Sequence, residues 1–176
     1  MNVTALSRED LVSEMLAPLP PTFAAGALRV SDADLSAPPS PESLLARRLS
    51  VARELLLRDL REQMHRGPVM TSPQILRDWL RLYCAGLEHE VFLVLYLDAN
   101  HRLIEPQELL QGALARNAAA LAVAHTHPSG QADPSRADEF LTQTLKSTLS
   151  LVDVRIIDHF VVAGDQVVSF AERGLI

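Results

Sequence analysis

The chain of 176 residues carries 22 acidic and 16 basic side chains, for a formal net charge of −6, and 48% of its residues are hydrophobic. That length and apolar fraction suit one compact domain with some appended chain, and the negative excess disfavours a phosphate-backbone partner unless basic residues cluster locally. The single cysteine, Cys84, excludes an internal disulfide, and without an apolar run of membrane or secretory-signal length the expected address is the cytoplasm.

Residues 1–39 carry the least signal. Ser7, Arg8, Glu9 and Asp10 start a short helix through Met15, which Pro18, Pro20 and Pro21 end. Residues 31–41 are rich in Ser, Asp, Ala and Pro without a sustained period and read as a linker. The segment is expected to be partly ordered at best. Ser40-Pro41-Glu42 then places an N-cap residue, a proline and a first-turn acid in register for a helix to about residue 65. Leu45, Leu49, Ala52, Leu56, Leu60 and Met64 trace the apolar stripe expected to face a core. Arg47, Arg48, Arg53, Arg58 and Arg61 lie on other faces, interleaved with acids such as Glu54, and read as an ion-paired, solvated surface rather than a nucleic-acid one. Gly67-Pro68 stops this helix and Ser72-Pro73 starts another to about residue 86. Ile75, Leu76, Trp79, Leu80, Leu82 and Tyr83 form its apolar side, with Trp79 a core anchor and Cys84 a buried inert thiol.

From residue 87 the pattern changes. Residues 91–98, VFLVLYLD, form a nearly continuous apolar run of strand length, expected at the centre of a sheet. Asp98, Ala99, Asn100 and His101 have turn composition, and Arg102-Leu103-Ile104 supplies a returning arm that Pro106 limits. Residues 107–117 make a weak helix of two to three turns, because Gly112 in its middle costs about 1 kcal/mol relative to alanine.

Residues 121–138, LAVAHTHPSGQADPSRAD, begin as a buried strand and emerge into a loop. Alternation puts His125 and His127 on one face and Thr126 on the other. Asp133-Pro134 turns the chain, Ser135 stands where an N-cap belongs, and Asp138 in the first helical turn brings a carboxylate back towards the histidines. Two imidazoles and one carboxylate suit zinc, and three protein ligands leave a fourth position for water, the mark of a catalytic site. Ser135 and Asp138 are equally a plain capping box that needs no metal, so spacing alone leaves both readings open.

The helix should run to about residue 149, with Ala137, Leu141, Leu145 and Leu149, and Phe140 beside them, packed on the sheet. Strands are expected at residues 152–157, 159–162 and 166–170, with Gly164-Asp165 as a turn. Asp158 and His159 read as a structural hydrogen-bonding pair rather than a second metal half-site, and His65, His89 and His101 as surface histidines.

Taken together, His125, His127, Pro128, Ser135 and Asp138 resemble the JAB/MPN metalloprotease motif H-x-H-P-x6-S-x2-D, with every fixed position filled. The string HTHPSG resembles the HNHPSG of the bacterial RadC branch, and EVFLVLYL, LVDVRIIDHFVVAG and VSFAERGLI resemble the same branch. The resemblance implies an α/β fold, a JAB/MPN-like (cytidine-deaminase-like) mixed sheet flanked by helices and preceded by two N-terminal helices. Residues 1–39 are then a degenerate N-terminal segment, 40–86 a helical lead-in and 87–176 the catalytic domain. It implies zinc on His125, His127 and Asp138, and zinc-dependent hydrolysis of a peptide or isopeptide bond in a peptide or protein substrate.

In such proteins an acid just before the first strand serves the site's water. Glu90 abuts the strand and takes that role, with Glu88 the alternative register. One carboxyl group there can accept the water's proton and pass it to the leaving amine. Ser135 either binds the oxyanion or only caps its helix. Two features depart from the branch. Residues 1–39 lack the Gly-x-Gly hairpin that would present amides to DNA, and a stretch resembling ASVYPREVVKAAL, which packs beneath the site strand, is mostly missing before Ala118. An apolar sheet edge bared by that deletion favours homo-oligomers. Two other classes therefore stay open: a non-catalytic interaction scaffold, and a DNA-repair-associated accessory protein marked by a basic stripe of the five arginines.

Overall fold

A computed structural model describes residues 2–18, 40–68, 73–106 and 118–176. They fall into two compact units, Met1–Arg58 and Asp59–Ile176. The helix expected at residues 107–117 and all but the last two residues of the linker expected at 31–41 lie outside the described residues.

In the first unit the short helix α1, Arg8–Leu16, starts as its sequence predicts. The Ser7 hydroxyl accepts from the Asp10 amide at 3.1 Å, and the Asp10 carboxylate accepts from the Ser7 amide. Helix α2, Pro41–Arg66, begins where the Ser40 hydroxyl accepts from the Ser43 amide at 3.2 Å. Its covered face is not the expected stripe. Leu45, Leu49 and Leu56 are 60%, 61% and 55% exposed, while Val51 is fully buried and Leu44, Leu55, Arg47 and Arg58 are half-buried. The arginines explain the change of face. Arg47 pairs with Glu14, and Arg58 pairs with Glu54 at 2.7 Å while donating to the Leu6 and Thr4 carbonyls at 2.8 and 3.0 Å. Each lays an aliphatic stem along the unit while its charged head is satisfied at the end.

In the second unit, Met64 from the end of α2 is buried, and α3, Pro73–Cys84, buries Leu76, Trp79, Leu80 and Cys84. Trp79 stacks on Tyr83 with ring centroids 4.7 Å apart. Five strands follow: β1 Phe92–Leu97, β2 Leu103–Pro106, β3 Ala120–Thr126, β4 Arg155–Ala163 and β5 Gln166–Ser169, with helix α4, Arg136–Ser150, between β3 and β4. They form one sheet in the order β2-β1-β3-β4-β5. β1 runs antiparallel to β2 and β3, β3 and β4 are parallel across the α4 connection, and β5 returns antiparallel. This is the mixed sheet flanked by helices that the sequence leads one to expect. Central β3 is buried at every position, which is why it reads as a continuous apolar run rather than an alternation.

Two details differ from expectation, and both position the site. The two strands expected on either side of Asp158 are one, and its register slips against β3: Leu121 pairs with Ile156 but Ala122 with Asp158. Ile156 and His159, three residues apart, would otherwise point to opposite faces. The extra residue puts both on the face of Leu121, Val123 and His125 and turns Asp158 to the other. That face carries a core of Val94, Tyr96, Leu121, Val123, Ile156 and Leu149.

Helix α4 is rotated from its expected phase. Leu145 and Leu149 pack inward, but Phe140 and Leu141 are 75% and 39% exposed, and Thr142 is fully buried in their place. The inward face is therefore Asp138, Thr142, Leu145 and Leu149, because the polar pair has partners on the sheet. Among the described residues no helix is long and apolar enough to cross a membrane.

Candidate metal centre

The site lies where β3 ends and α4 begins. The last turns of β3 hold His125 at 2% exposure, and its Nε2 lies 2.9 Å from Nε2 of His127. His127 has left the strand, but its amide donates to the Val162 carbonyl at 2.8 Å, so β4 carries its backbone past the strand's end. Its ring is held from behind, with Nδ1 2.8 Å from the Gln131 carbonyl oxygen. A carbonyl can only accept, so His127 carries its proton on Nδ1 and leaves Nε2 bare.

The intervening loop turns at Gly130, whose φ of +79° suits glycine, and Ser135 caps α4. Asp138 reaches back, its Oδ1 3.2 Å from His125 Nε2 and its Oδ2 3.6 Å from His127 Nε2. His125, His127 and Asp138 could hold a metal ion: one ligand atom from each lies within 4.8 Å of the others. The spacing fits a small cation. A tetrahedral ion with bonds of about 2.0–2.1 Å sets its ligand atoms about 3.3–3.4 Å apart; the imidazole nitrogens at 2.9 Å and His125 Nε2 to Asp138 Oδ1 at 3.2 Å lie near that value, while His127 Nε2 meets the other carboxylate oxygen, Oδ2, at 3.6 Å.

His125 and Asp138 are held in the protonation states that a metal needs. Burial pushes the His125 imidazole below its ordinary pKa, against the opposing pull of Asp138. Burial alone would raise Asp138, but the Ser135 hydroxyl and amide donate to it and two imidazoles stand beside it, so its carboxyl lies below the usual range. A neutral imidazole and an ionised carboxylate present lone pairs without first releasing protons at neutral pH.

Ser135 is engaged with Asp138: its hydroxyl donates to Oδ2 at 2.6 Å, its amide to the same oxygen at 2.7 Å, and the Asp138 amide returns a bond to the hydroxyl at 3.2 Å. The expected capping box and the expected ligand are one structure, since fixing Oδ2 aims Oδ1 at His125. Glu90 is exposed at the end of β1. Phe92 pairs with His125, and the Val91 and Thr126 backbones bond at 3.1 Å, so the register continued one residue sets Glu90 across from His127 on the same face. Glu88 lies further along the departing chain. Thr126, on the opposite face, fixes this approach by accepting from the Val91 amide at 2.8 Å and donating to the His89 carbonyl at 3.2 Å.

Asp158 and His159 are not a side-chain pair. The Asp158 carboxylate accepts from the His159 amide at 2.7 Å, the Ser169 hydroxyl at 2.6 Å and the Ala171 amide at 3.0 Å, tying β5 and the turn after it to β4. The His159 ring goes the other way. Its Nε2 is 2.7 Å from His125 Nδ1, and its Nδ1 is 2.6 Å from the Thr142 hydroxyl. His159 and Thr142 are thus parts of the centre that sequence reasoning missed. No alternation rule signals His159, because the bulge in β4 decides its face, although Thr142 stands one helical turn after Asp138. Burial lowers the His159 pKa to about 4, with the neighbouring His125 pressing the same way. Cys84 is a buried thiol outside any disulfide, as expected. His65 is exposed, but its Nδ1 lies 2.6 Å from the Leu103 carbonyl oxygen.

Comparison with known proteins matches a RadC-like JAB domain to residues 100–175. A UPF0758 protein of Leptothrix cholodnii is 54% identical over 143 residues, covering 73% of this chain and 64% of that one. Another from Nitrosomonas eutropha is 49% identical with the same coverage, and one from Aromatoleum aromaticum is 49% identical over 162 residues, covering 83% of this chain and 72% of that one. The match thus spans just under two thirds of the length of the first of these relatives, 64%. Since 73% of 176 residues is about 128, the 143 aligned positions include about fifteen that this chain lacks.

Proposed function

The chain belongs to the RadC-like JAB-domain family, and from that premise we propose that it is a zinc-dependent metallohydrolase acting on a peptide or isopeptide bond. The observation that carries this reading is the convergence of His125 Nε2, His127 Nε2 and the Asp138 carboxylate on one small volume, and the register of β1 against β3, continued outward, would bring the exposed acid Glu90 towards it. His125, His127 and Asp138 would hold the zinc, which supplies Lewis acidity that makes a water nucleophilic near neutral pH. The carboxylate contributes one negative charge to the ligand set and the imidazoles none, so a zinc ion held there would keep a net positive charge with which to polarise an amide carbonyl.

Glu90 accepts the proton of the attacking water as oxygen bonds to the carbonyl carbon. The same carboxyl group then delivers that proton to the amine as the C–N bond breaks. Its exposure keeps it free to face both water and substrate. Ser135 serves by holding Asp138; a direct role at the oxyanion requires its hydroxyl to turn from that carboxylate to the substrate. A buried thiol at Cys84 suits a reducing cytoplasm.

The about fifteen positions absent relative to the Leptothrix protein favour a second reading. A chain that has lost one wall of a substrate groove can keep its metal and serve as a binding scaffold. Elemental analysis and peptide hydrolysis separate the two. Protein purified without added metal is expected to hold about one zinc per chain, His127→Ala to lose it, and Glu90→Gln to retain zinc but lose hydrolysis. Failure of the wild type to take up zinc refutes the metallohydrolase; zinc without cleavage leaves the scaffold.

A further inference from the structure

The hydrogen bonds behind His125 have a direction. Thr142 Oγ1 donates to the Asp138 carbonyl oxygen at 2.6 Å, spending its only proton on an atom that cannot donate in return. Its oxygen is then the acceptor for His159 Nδ1, also at 2.6 Å. A neutral imidazole carries one N–H, so with the proton on Nδ1 the Nε2 of His159 accepts, and Nδ1 of His125, 2.7 Å away, must donate. His125 is left with a bare Nε2 beside the bare Nε2 of His127 and the Asp138 carboxylate, three acceptors that a cation between them would bridge. The reversed arrangement would turn the Thr142 proton towards His159 and leave two oxygens, Thr142 Oγ1 and the Asp138 carbonyl, 2.6 Å apart with no proton between them.

Resting for the metal on the reading above, we infer that His159 and Thr142 are positioning residues that hold His125 in the Nδ1–H tautomer, presenting Nε2 to the ion. His159 is fully buried, stacked on Phe170 at 4.6 Å and edge-on to Phe92 at 5.9 Å, so water does not substitute for it as the acceptor. The chain of bonds also returns to its start. Thr142 grips the backbone of Asp138, whose carboxylate is another ligand, so one network sets the aim of two donors from two different elements. Partners behind a metal-bound histidine commonly contribute 10–100-fold in metal affinity.

Two measurements test this. In zinc-loaded wild type at pH 8, nitrogen-detected imidazole NMR is expected to show His159 protonated on Nδ1, with its Nε2 accepting from His125 Nδ1–H; a proton resident on Nε2 of His159 overturns the inference. Zinc affinity, read by chelator competition, is expected to fall about 10–100-fold in His159→Phe and to recover in His159→Gln, whose side-chain carbonyl can accept from Nδ1–H. Thr142→Val, nearly isosteric and expected to fold, should lower affinity in the same direction. Unchanged affinity in both His159→Phe and Thr142→Val overturns the inference. A wild type that takes no zinc instead refutes the metallohydrolase on which the inference rests, whereas zinc bound equally by wild type and both variants refutes the inference alone.

Discussion

Acid should unfold the metal-free second unit through His159. The imidazole is fully buried, faced by His125, His127 and Asp138, and its pKa is lowered from 6.5 to about 4. As pH falls below about 6.5 the unfolded chain takes a proton there before the folded one does. The stabilisation is therefore complete above pH 6.5 and drains away as pH falls towards 4. At about 1.4 kcal/mol per pH unit per proton, that window is worth on the order of 3 kcal/mol, a large share of the 5–15 kcal/mol typical of a domain. His125 is lowered by burial as well and adds to the same loss. The assay is urea denaturation of metal-free protein from pH 8 to pH 4. Its signal is the fluorescence of Trp79, the chain's single tryptophan, which is fully buried in this unit. His159→Gln removes the titrating ring. The wild type is expected to lose on the order of 3 kcal/mol more than this variant across the window; parallel curves would refute the reasoning by showing that the buried imidazole does not govern the acid limb.

Other substitutions probe the supports of the site. Thr126→Val removes the hydroxyl that holds the Val91 amide at 2.8 Å, so zinc content should be unchanged while hydrolysis falls by about tenfold or more as Glu90 loses its fixed approach. Ser135→Ala should cost about 1 kcal/mol in a metal-free melt and weaken zinc binding measurably, because the α4 cap and the anchor of Asp138 Oδ2 are lost together. Leu149→Ala should cost about 2–5 kcal/mol, whereas Phe140→Ser should stay within about 0.5 kcal/mol despite removing the larger side chain. Equal losses in that last pair would mean that α4 packs in the phase its leucines suggest and not the one observed.

The parts of this molecule that are legible in the sequence are those fixed by local rules. Strand alternation is enough to place His125 and His127 on one face, and a serine three residues before an aspartate is enough to start α4 and turn Asp138 back. The limits of α2 follow from Ser40-Pro41 and Gly67-Pro68, and the run of β1 from its branched and aromatic residues. Where the reading goes astray, a polar side chain has outbid an apolar one for a buried place. On α2 the arginines cover the unit because each finds an acid or a carbonyl, so Leu45, Leu49 and Leu56 are left outside. Hydrophobic periodicity ranks the stripes by composition, and no such ranking sees the partner waiting for a guanidinium.

The same rule explains why half of the metal centre was hidden. Three ligands are written within fourteen residues, but the apparatus behind them is assembled from α4 and from β4, whose His159 lies 34 residues beyond His125. Its assembly depends on one slipped register, between Leu121 and Ala122. With β4 in regular alternation from Ile156, His159 would turn to the opposite face of the sheet and Asp158 to the face of His125, setting a second carboxylate against the ring where a neutral acceptor now sits. The bulge instead sends the carboxylate to Ser169 and the Ala171 amide, where three donors satisfy it, and delivers the imidazole to His125. The phase of α4 follows from that delivery. A helix that packed Phe140 and Leu141 inward would carry Thr142 away from His159 and Asp138 away from both histidines, forfeiting two ligand supports for two apolar contacts. The exposed Phe140 is therefore the visible cost of aiming Asp138, and the helix is oriented by its chemistry before its hydrophobicity.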